Sequence, residues 1–282
     1  MTDNTIFVSI ATYRDPKAQT TVRNLLKNAN HPENITIAVI EQNLPQDRFR
    51  VKSAANIKVM RNVEAKGPAW ARFLASTLHT NEKWYLQIDS HMNFCPGWDT
   101  DIIQQIKPFE HEKCVFTCYP PQNLPIPDTP VKSITQKWSK DKDNHIIARG
   151  SIVPATKEPD IGFFVSANFL FFLAQPFLKE IPFDPNLKYI FQGEEILLSA
   201  RLFTRGWTIY HPGKCVCSHD YGRHDSPKIW QDSPEFSKYN ETAVHRYRYL
   251  THQLPDKPEP NLYGEGTTKT MTEWKNKIKL FV

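Results

Sequence analysis

The amino-acid sequence predicts an α/β protein with a mostly parallel central sheet flanked by helices. Three observations carry that expectation. β-rich runs alternate with helix-period stretches over the first 110 residues, and repeated β-α units build parallel sheets covered on both faces. Polar clusters stand at three successive strand ends, where such sheets bind ligands. No internal repeat or clean domain boundary interrupts the 282 residues.

Residues 5–12, "TIFVSIAT", form the first strand. Asp15-Pro16 then opens a helix as N-cap and N1. Val22, Leu25, Leu26 and Ala29 follow it at i, i+3, i+4 and i+7. Residues 35–42 are a second strand and 57–63 a third. Gly67-Pro68 starts a helix with Trp70, Phe73, Leu74, Thr77 and Leu78 on one face. Residues 83–89, "KWYLQID", are a fourth strand, and Ile102, Ile103 and Ile106 mark the helix after it. Past "CVFTCYPP" the pattern breaks. Residues 121–160 are rich in Pro, Lys and Asp and read as a mobile flap or an irregular excursion over the site. Residues 161–172, "IGFFVSANFLFF", restore the core. Residues 194–205 read as a helix ended by Gly206 at C′. "WTIYHP" and "KCVCSHDY" are short strands or extended segments. Ser233-Pro234 starts a helix toward Leu250, and residues 268–281 form another.

Composition narrows the class. Thirty-five basic against thirty acidic residues give +5, which suits an anionic substrate. The basic residues are scattered, against a nucleic-acid partner. Five cysteines without a regular framework argue against a disulfide scaffold. The N-terminus lacks a basic n-region, so it reads as no signal peptide. No stretch approaches the roughly 20 apolar residues of a transmembrane segment. A reduced, cytoplasmic protein is expected.

The three strand ends carry Thr12-Tyr13-Arg14, Glu41-Gln42-Asn43 and Asp89-Ser90-His91. They should converge on one site. Side chains two apart leave the same side of an extended chain. Asp89 and His91 thus offer an oxygen and a nitrogen to one point, which suits a divalent cation of the Mn²⁺ type. A capped turn with a solvated His91 is the other reading. Residues 211–224 hold five histidines and cysteines. Cys-x-Cys is tighter than the usual zinc spacing. On a strand, Cys215, Cys217 and His219 share a face, the cysteines as buried hydrophobes and His219 completing the Asp89/His91 site. Glu194-Glu195 in a helix's first turn follows from the macrodipole alone, or supplies a sugar-binding or acceptor-orienting carboxylate. Gly67 and Pro68 start a helix whose free N–H groups suit a phosphate. Arg72 is one turn on, solvated, or paired with a diphosphate or with Asp89. Tyr13 and Trp70 stack on a base or pack in the core.

Together "IATYRD", "GPAWAR", "YLQIDSHMNFCPGWD", "GEEILLSARLFTRGWTIYHP" and "YGEGTTKTMTEW" resemble the GlcNAc-transferase family of cytosolic polypeptide hydroxyproline α-GlcNAc-transferases. Those enzymes modify an adaptor subunit of ubiquitin ligases. The resemblance runs over residues 6–274. It implies a GT-A (Rossmann-like) fold and a UDP-sugar donor, usually UDP-GlcNAc. It implies Mn²⁺ (or Mg²⁺) bound by an Asp-x-His pair, as in the related mucin-type GalNAc-transferases. Asp89 and His91 stand at that pair, with His219 as third ligand. Thr12, Tyr13, Arg14 and Glu41 stand where uridine sits, with Gly67, Arg72 and Ser90 on the donor side too. Glu194 and Glu195 match the acidic pair near sugar and acceptor. Arg72 and Arg223 would stabilise the departing UDP, and transfer would retain the α configuration. One domain over 1–282 is implied, with 1–110 the nucleotide-binding half and 111–282 the acceptor half.

Two stretches depart from the family pattern. Residues 122–159 match nothing in it, and Glu265 stands where an apolar residue is expected. The acceptor therefore stays open between a protein and a glycan. Two competing readings stand beside transfer: a metal-dependent sugar nucleotidyltransferase, weakened by "ATYRDP" in place of a glycine-rich loop, and a glycan-binding or zinc-stabilised module.

Overall fold

The computed structural model describes residues 4–61, 64–122, 130–140, 145–222 and 226–279. Its first half follows the expected alternation: β1 (Ile6–Thr12), α1 (Ala18–Asn28), β2 (Ile35–Glu41), β3 (Ile57–Arg61), α2 (Pro68–Ser76), β4 (Trp84–Asp89), β5 (Met92–Phe94) and α3 (Trp98–Ile106). Then come β6 (Cys114–Thr117), β7 (Val131–Lys140), β8 (Ile146–Pro154), β9 (Asp160–Ile161), β10 (Phe169–Leu173), α4 (Ala174–Glu180) and α5 (Glu194–Thr204). The chain ends with β11 (Thr208–His211), β12 (Cys217–His219), α6 (Ile229–Asp232), α7 (Phe236–Leu250) and α8 (Met271–Lys277).

Eight strands form one sheet in the order β3-β2-β1-β4-β10-β6-β11-β9. The first four are parallel, β10 runs against β4 and β6, and β11 runs with β6. The sheet is thus mostly parallel. Its central strands are buried on both faces, as their near-continuous apolar runs require. Ile6, Val8 and Ile10 pack on one side with Val22, Leu25, Trp98 and Ile102 of α1 and α3. Phe7 and Tyr85 face the other side, with Phe177 of α4 and Leu202 of α5. Among the described residues no helix is long and apolar enough to cross a membrane.

Four local expectations change. Residues 131–140 and 146–154 are not irregular: β7 and β8 pair antiparallel, with a bulge between Ile134 and Lys137, while residues 123–129 and 141–144 lie outside the described residues. The β-branched residues of the two strands outweigh the flanking prolines and lysines. On α2 the buried residues are Ala69, Ala71, Arg72 and Ala75, while Thr77 is exposed. Small alanines let the helix lie close to the sheet, which turns Trp70 and Phe73 partly outward. Helix α1 begins at Ala18, not at Pro16. The last large helix begins at Phe236, and the short α6 precedes it. The third strand's last two expected residues, 62–63, and the last helix's last two, 280–281, lie outside the described residues. Gly206, with φ 78°, does follow α5 as the C′ residue.

Candidate active site

Strand order reverses direction beside β1: α1 leads to β2 on one side, while β4 pairs on the other. At that crest opens a cleft of about 820 Å³. Thr12, Tyr13, Gly67, Arg72, Asp89, Ser90, His91, Glu194, Glu195 and His219 all line it. Arg14 and Glu41 are not among its lining residues. The Arg14 guanidinium is paired with Asp47 and Asp232. Glu41 is 2% exposed and accepts the Val51 N–H at 2.9 Å. Both brace the loops beside the cleft. Trp70 is half-buried, with the ammonium groups of Lys66 and Lys188 over its ring. Arg223 lies outside the described residues.

Asp89, His91 and His219 each bring one candidate ligand atom within 4.8 Å of the others. Strand β4 ends at Asp89 and the chain bends at Ser90-His91, so convergence does not come from strand alternation. It comes from the β5–β12 ladder, which pairs His219 with Met92. The two imidazole rings then meet edge to face, centroids 4.6 Å apart. Cys215 and Cys217 are buried in the core behind them.

His91 is held from behind. Its Nδ1 lies 2.8 Å from Asp15 Oδ2, and the Ser90 hydroxyl donates to the same oxygen at 2.6 Å. A neutral imidazole that donates Nδ1–H keeps Nε2 as its acceptor or ligand atom. The sequence offers Asp15 as the cap of the first helix, but α1 is capped at Lys17 with no side-chain bond. Asp15 Oδ1 instead accepts the Lys17 N–H at 2.9 Å in the turn before the helix, and its other oxygen serves the cleft. His219 Nε2 lies 3.1 Å from Asp89 Oδ2, and its buried Nδ1 has no partner among the described residues. An oxygen and two imidazoles, one with an unpartnered buried nitrogen, fit a divalent cation.

Arg72 is not solvated. It is 4% exposed, pairs with Glu194, and donates to Asp89 Oδ1 and the Ala167 carbonyl, each at 3.2 Å. Burial alone would push the Asp89 carboxyl up. The His219 hydrogen bond and charge, then Arg72, outweigh it and hold Asp89 well below the usual carboxylate range. Glu195 goes the other way. Burial raises it to about 7, against hydrogen bonds from Tyr119 and from the Ala167 N–H. Neither glutamate caps α5. The N-cap is Gly193 at φ 102°, and a Cβ there would meet the Tyr247 ring at 2.8 Å. Both acids reach across to other elements instead. The Tyr119 hydroxyl donates to Glu195, a partner that no sequence motif marks. The position of Tyr119 just past β6 was the available signal.

The profile of the Glycosyltransferase (GlcNAc) family matches residues 5–55 and 44–280. The chain belongs to that family. No curated protein matches it in sequence. Among solved structures, GalNAc-T7 with UDP, GalNAc and Mn²⁺ is similar at 15% identity and TM-score 0.60, over 98% of this chain and 54% of that one. TarS 1–349 of S. aureus in complex with UDP-GlcNAc is similar at 12% identity and TM-score 0.53, over 97% and 70%. This glycosyltransferase thus spans about half the length of the GalNAc-T7 chain. At these identities the likeness is one of fold, and the fold is GT-A.

Two expected results follow from the geometry of this glycosyltransferase. His219→Ala is expected to weaken the affinity for a divalent cation, titrated as Mn²⁺ by calorimetry, about tenfold or more. Cys215→Ser and Cys217→Ser leave it nearly unchanged; loss of bound zinc with unfolding in the cysteine variants would instead make the cysteines metal ligands. The second result concerns pH. Between about 4.5 and 7 the folded Glu195 keeps a proton that the unfolded chain has lost. Folding then binds the proton, so this group makes stability fall as pH rises through that window. Glu195→Gln removes that slope. Urea midpoints at pH 5 and 7.5 check it, and an unchanged slope in the variant refutes it.

Proposed function

We propose that this glycosyltransferase moves GlcNAc from UDP-GlcNAc to a hydroxyl of a protein or glycan, with a Mn²⁺-type cation and retention of the α configuration. The observation that carries the reading is the convergence of Asp89, His91 and His219 at the crest between β1 and β4. A cation held there supplies a Lewis acid for the charge on the departing diphosphate.

The chain's own residues do the rest. Asp15 fixes the His91 tautomer. Arg72 holds Asp89 and Glu194 in one frame and adds positive potential beside the leaving group. The N-terminus of α2 at Gly67 presents backbone N–H groups to the donor, and Thr12, Tyr13 and Ser90 line the donor side. Residues 1–110 serve as the donor half, completed by His219 and the glutamates from 111–282. Glu194 is tied to Arg72 and Glu195 to Tyr119 and Ala167, so each acid already has partners. That accords with retention, in which the leaving phosphate oxygen receives the acceptor proton. Five free cysteines, four of them buried, accord with a reducing, cytoplasmic setting.

The test is UDP release from a panel of UDP-sugars, with Mn²⁺, Mg²⁺ or chelator, and with protein or glycan acceptors. UDP-GlcNAc with Mn²⁺ is expected to give the fastest release. No metal-dependent release from any donor overturns the reading. Proton NMR of the new linkage then reads a small anomeric coupling for α; a large one overturns retention.

A further inference from the structure

Behind the cleft, beyond Arg72, lies a small cavity of about 40 Å³. Arg72 of α2, Gln87 of β4 and Arg201 of α5 line it, with Glu194, Glu195 and Asp184. The first three are 4%, 2% and 4% exposed. Each keeps one buried polar atom without a partner among the described residues: Arg72 Nε, Gln87 Oε1 and Arg201 Nε. The other ends of these groups are engaged. Arg72 reaches Glu194, Asp89 and the Ala167 carbonyl. Gln87 Nε2 donates to that same carbonyl at 2.7 Å. Arg201 donates to the Pro182 and Leu262 carbonyls at 2.8 and 3.0 Å.

Buried polar groups are almost always satisfied. Three exceptions around one cavity therefore call for a shared partner. The atoms are two donors and one acceptor. A water accepts two hydrogen bonds and donates two, which matches two donors and one acceptor and leaves a proton for a neighbouring carboxylate. An anion would face Gln87 Oε1 and the carboxylates, and a cation would face two guanidinium groups. A site needs on the order of 10–15 Å³ to hold a water, and this one is larger.

We infer that this cavity is a built site for an ordered water that fixes Arg72 on its third edge, making Gln87 and Arg201 positioning residues of the donor site. Glu194 and Asp89 hold the terminal nitrogens of Arg72; the water holds Nε. The guanidinium plane is then set on every side, and with it the carboxylate of Asp89. Gln87 lies two residues before Asp89, on the same face of β4, so one strand carries both the candidate ligand and the water's acceptor. The positioning role rests on the function proposed above; the water site does not.

Two measurements test this on the full chain. A crystal structure at high resolution is expected to show density within hydrogen-bond distance of Arg72 Nε, Gln87 Oε1 and Arg201 Nε. A dry cavity, or Arg72 Nε bonded to a protein acceptor, overturns the site. Gln87→Leu is then expected to lower kcat per folded molecule and Mn²⁺ affinity by calorimetry about tenfold each, in the range for groups that orient a metal's ligands. A purely structural role would lower the melting temperature and the folded fraction alone, and that result overturns the positioning role. Should Gln87→Leu not fold, Arg201→Lys answers the same question, because it keeps the charge and loses Nε. Wild-type protein that neither binds Mn²⁺ nor transfers sugar defeats the proposed function while the water density stands.

Discussion

Asp89→Asn and His91→Ala lose sugar transfer about 10²-fold or more while staying folded. Asp89 sits at the last position of β4 with its side chain 27% exposed. Asparagine keeps its size and still accepts from Arg72, but it brings no charge. His91→Ala opens space at the cleft rather than in the core. It leaves Asp15 with the Ser90 hydroxyl and the Lys17 N–H, so no buried carboxylate is stranded. Activity titrated against Mn²⁺, beside thermal melts, checks both halves. Full turnover in either variant without added metal removes the cation from the mechanism. Unfolding of both would show that the cluster is structural first.

Arg72→Leu is expected to harm both stability and turnover. Its side chain is 5% exposed and lies against Asp89 and Glu194, 27% and 17% exposed. Removing it leaves two partly buried carboxylates without their shared cation, which costs about 3 kcal/mol. Transfer falls about 10²-fold, the scale for losing a preorganised electrostatic group. Arg72→Lys rescues little, because one ammonium does not span two carboxylates and a carbonyl as a planar fork does. The sign of the pH dependence follows from Asp89. Its carboxyl sits below the ordinary 3.8, so its contribution is present above about pH 4 and is lost as pH falls through the lower folded value. Arg72→Leu shrinks that contribution. The variant therefore loses more stability at neutral pH than in acid strong enough to protonate the folded Asp89, read from denaturant midpoints under both conditions. Equal losses at both would place the worth of Arg72 in packing rather than charge.

The strands, the crest and the Asp89/His91 pair were legible in the sequence because burial leaves a local imprint. β1, β2 and β4 are buried on both faces, so they read as apolar runs. Gly67-Pro68 and Gly206 mark helix ends through backbone conformations that hold regardless of what packs above. The face of α2 departs from its periodicity because a helix lying close to a sheet buries alanines, and hydrophobic size no longer reports burial. The pairing of β7 and β8 is not legible because Pro, Lys and Asp in and around the strands mask their β-branched residues.

The sequence by itself determined the α/β alternation, the polar strand ends and the chemistry that each side chain could offer. Only the tertiary structure decided which of those side chains share a charge. His219 meets His91 through the β5–β12 ladder. Asp15, in the turn before α1, orients His91, and Arg72 is drawn into the interior by Asp89 and Glu194. Glu41 and Arg14, equally placed at strand ends, were claimed by Val51, Asp47 and Asp232 instead. Periodicity records whether a residue faces water. It carries no record of its partner, because hydrogen bonds and ion pairs form across distances in the chain that no local pattern spans.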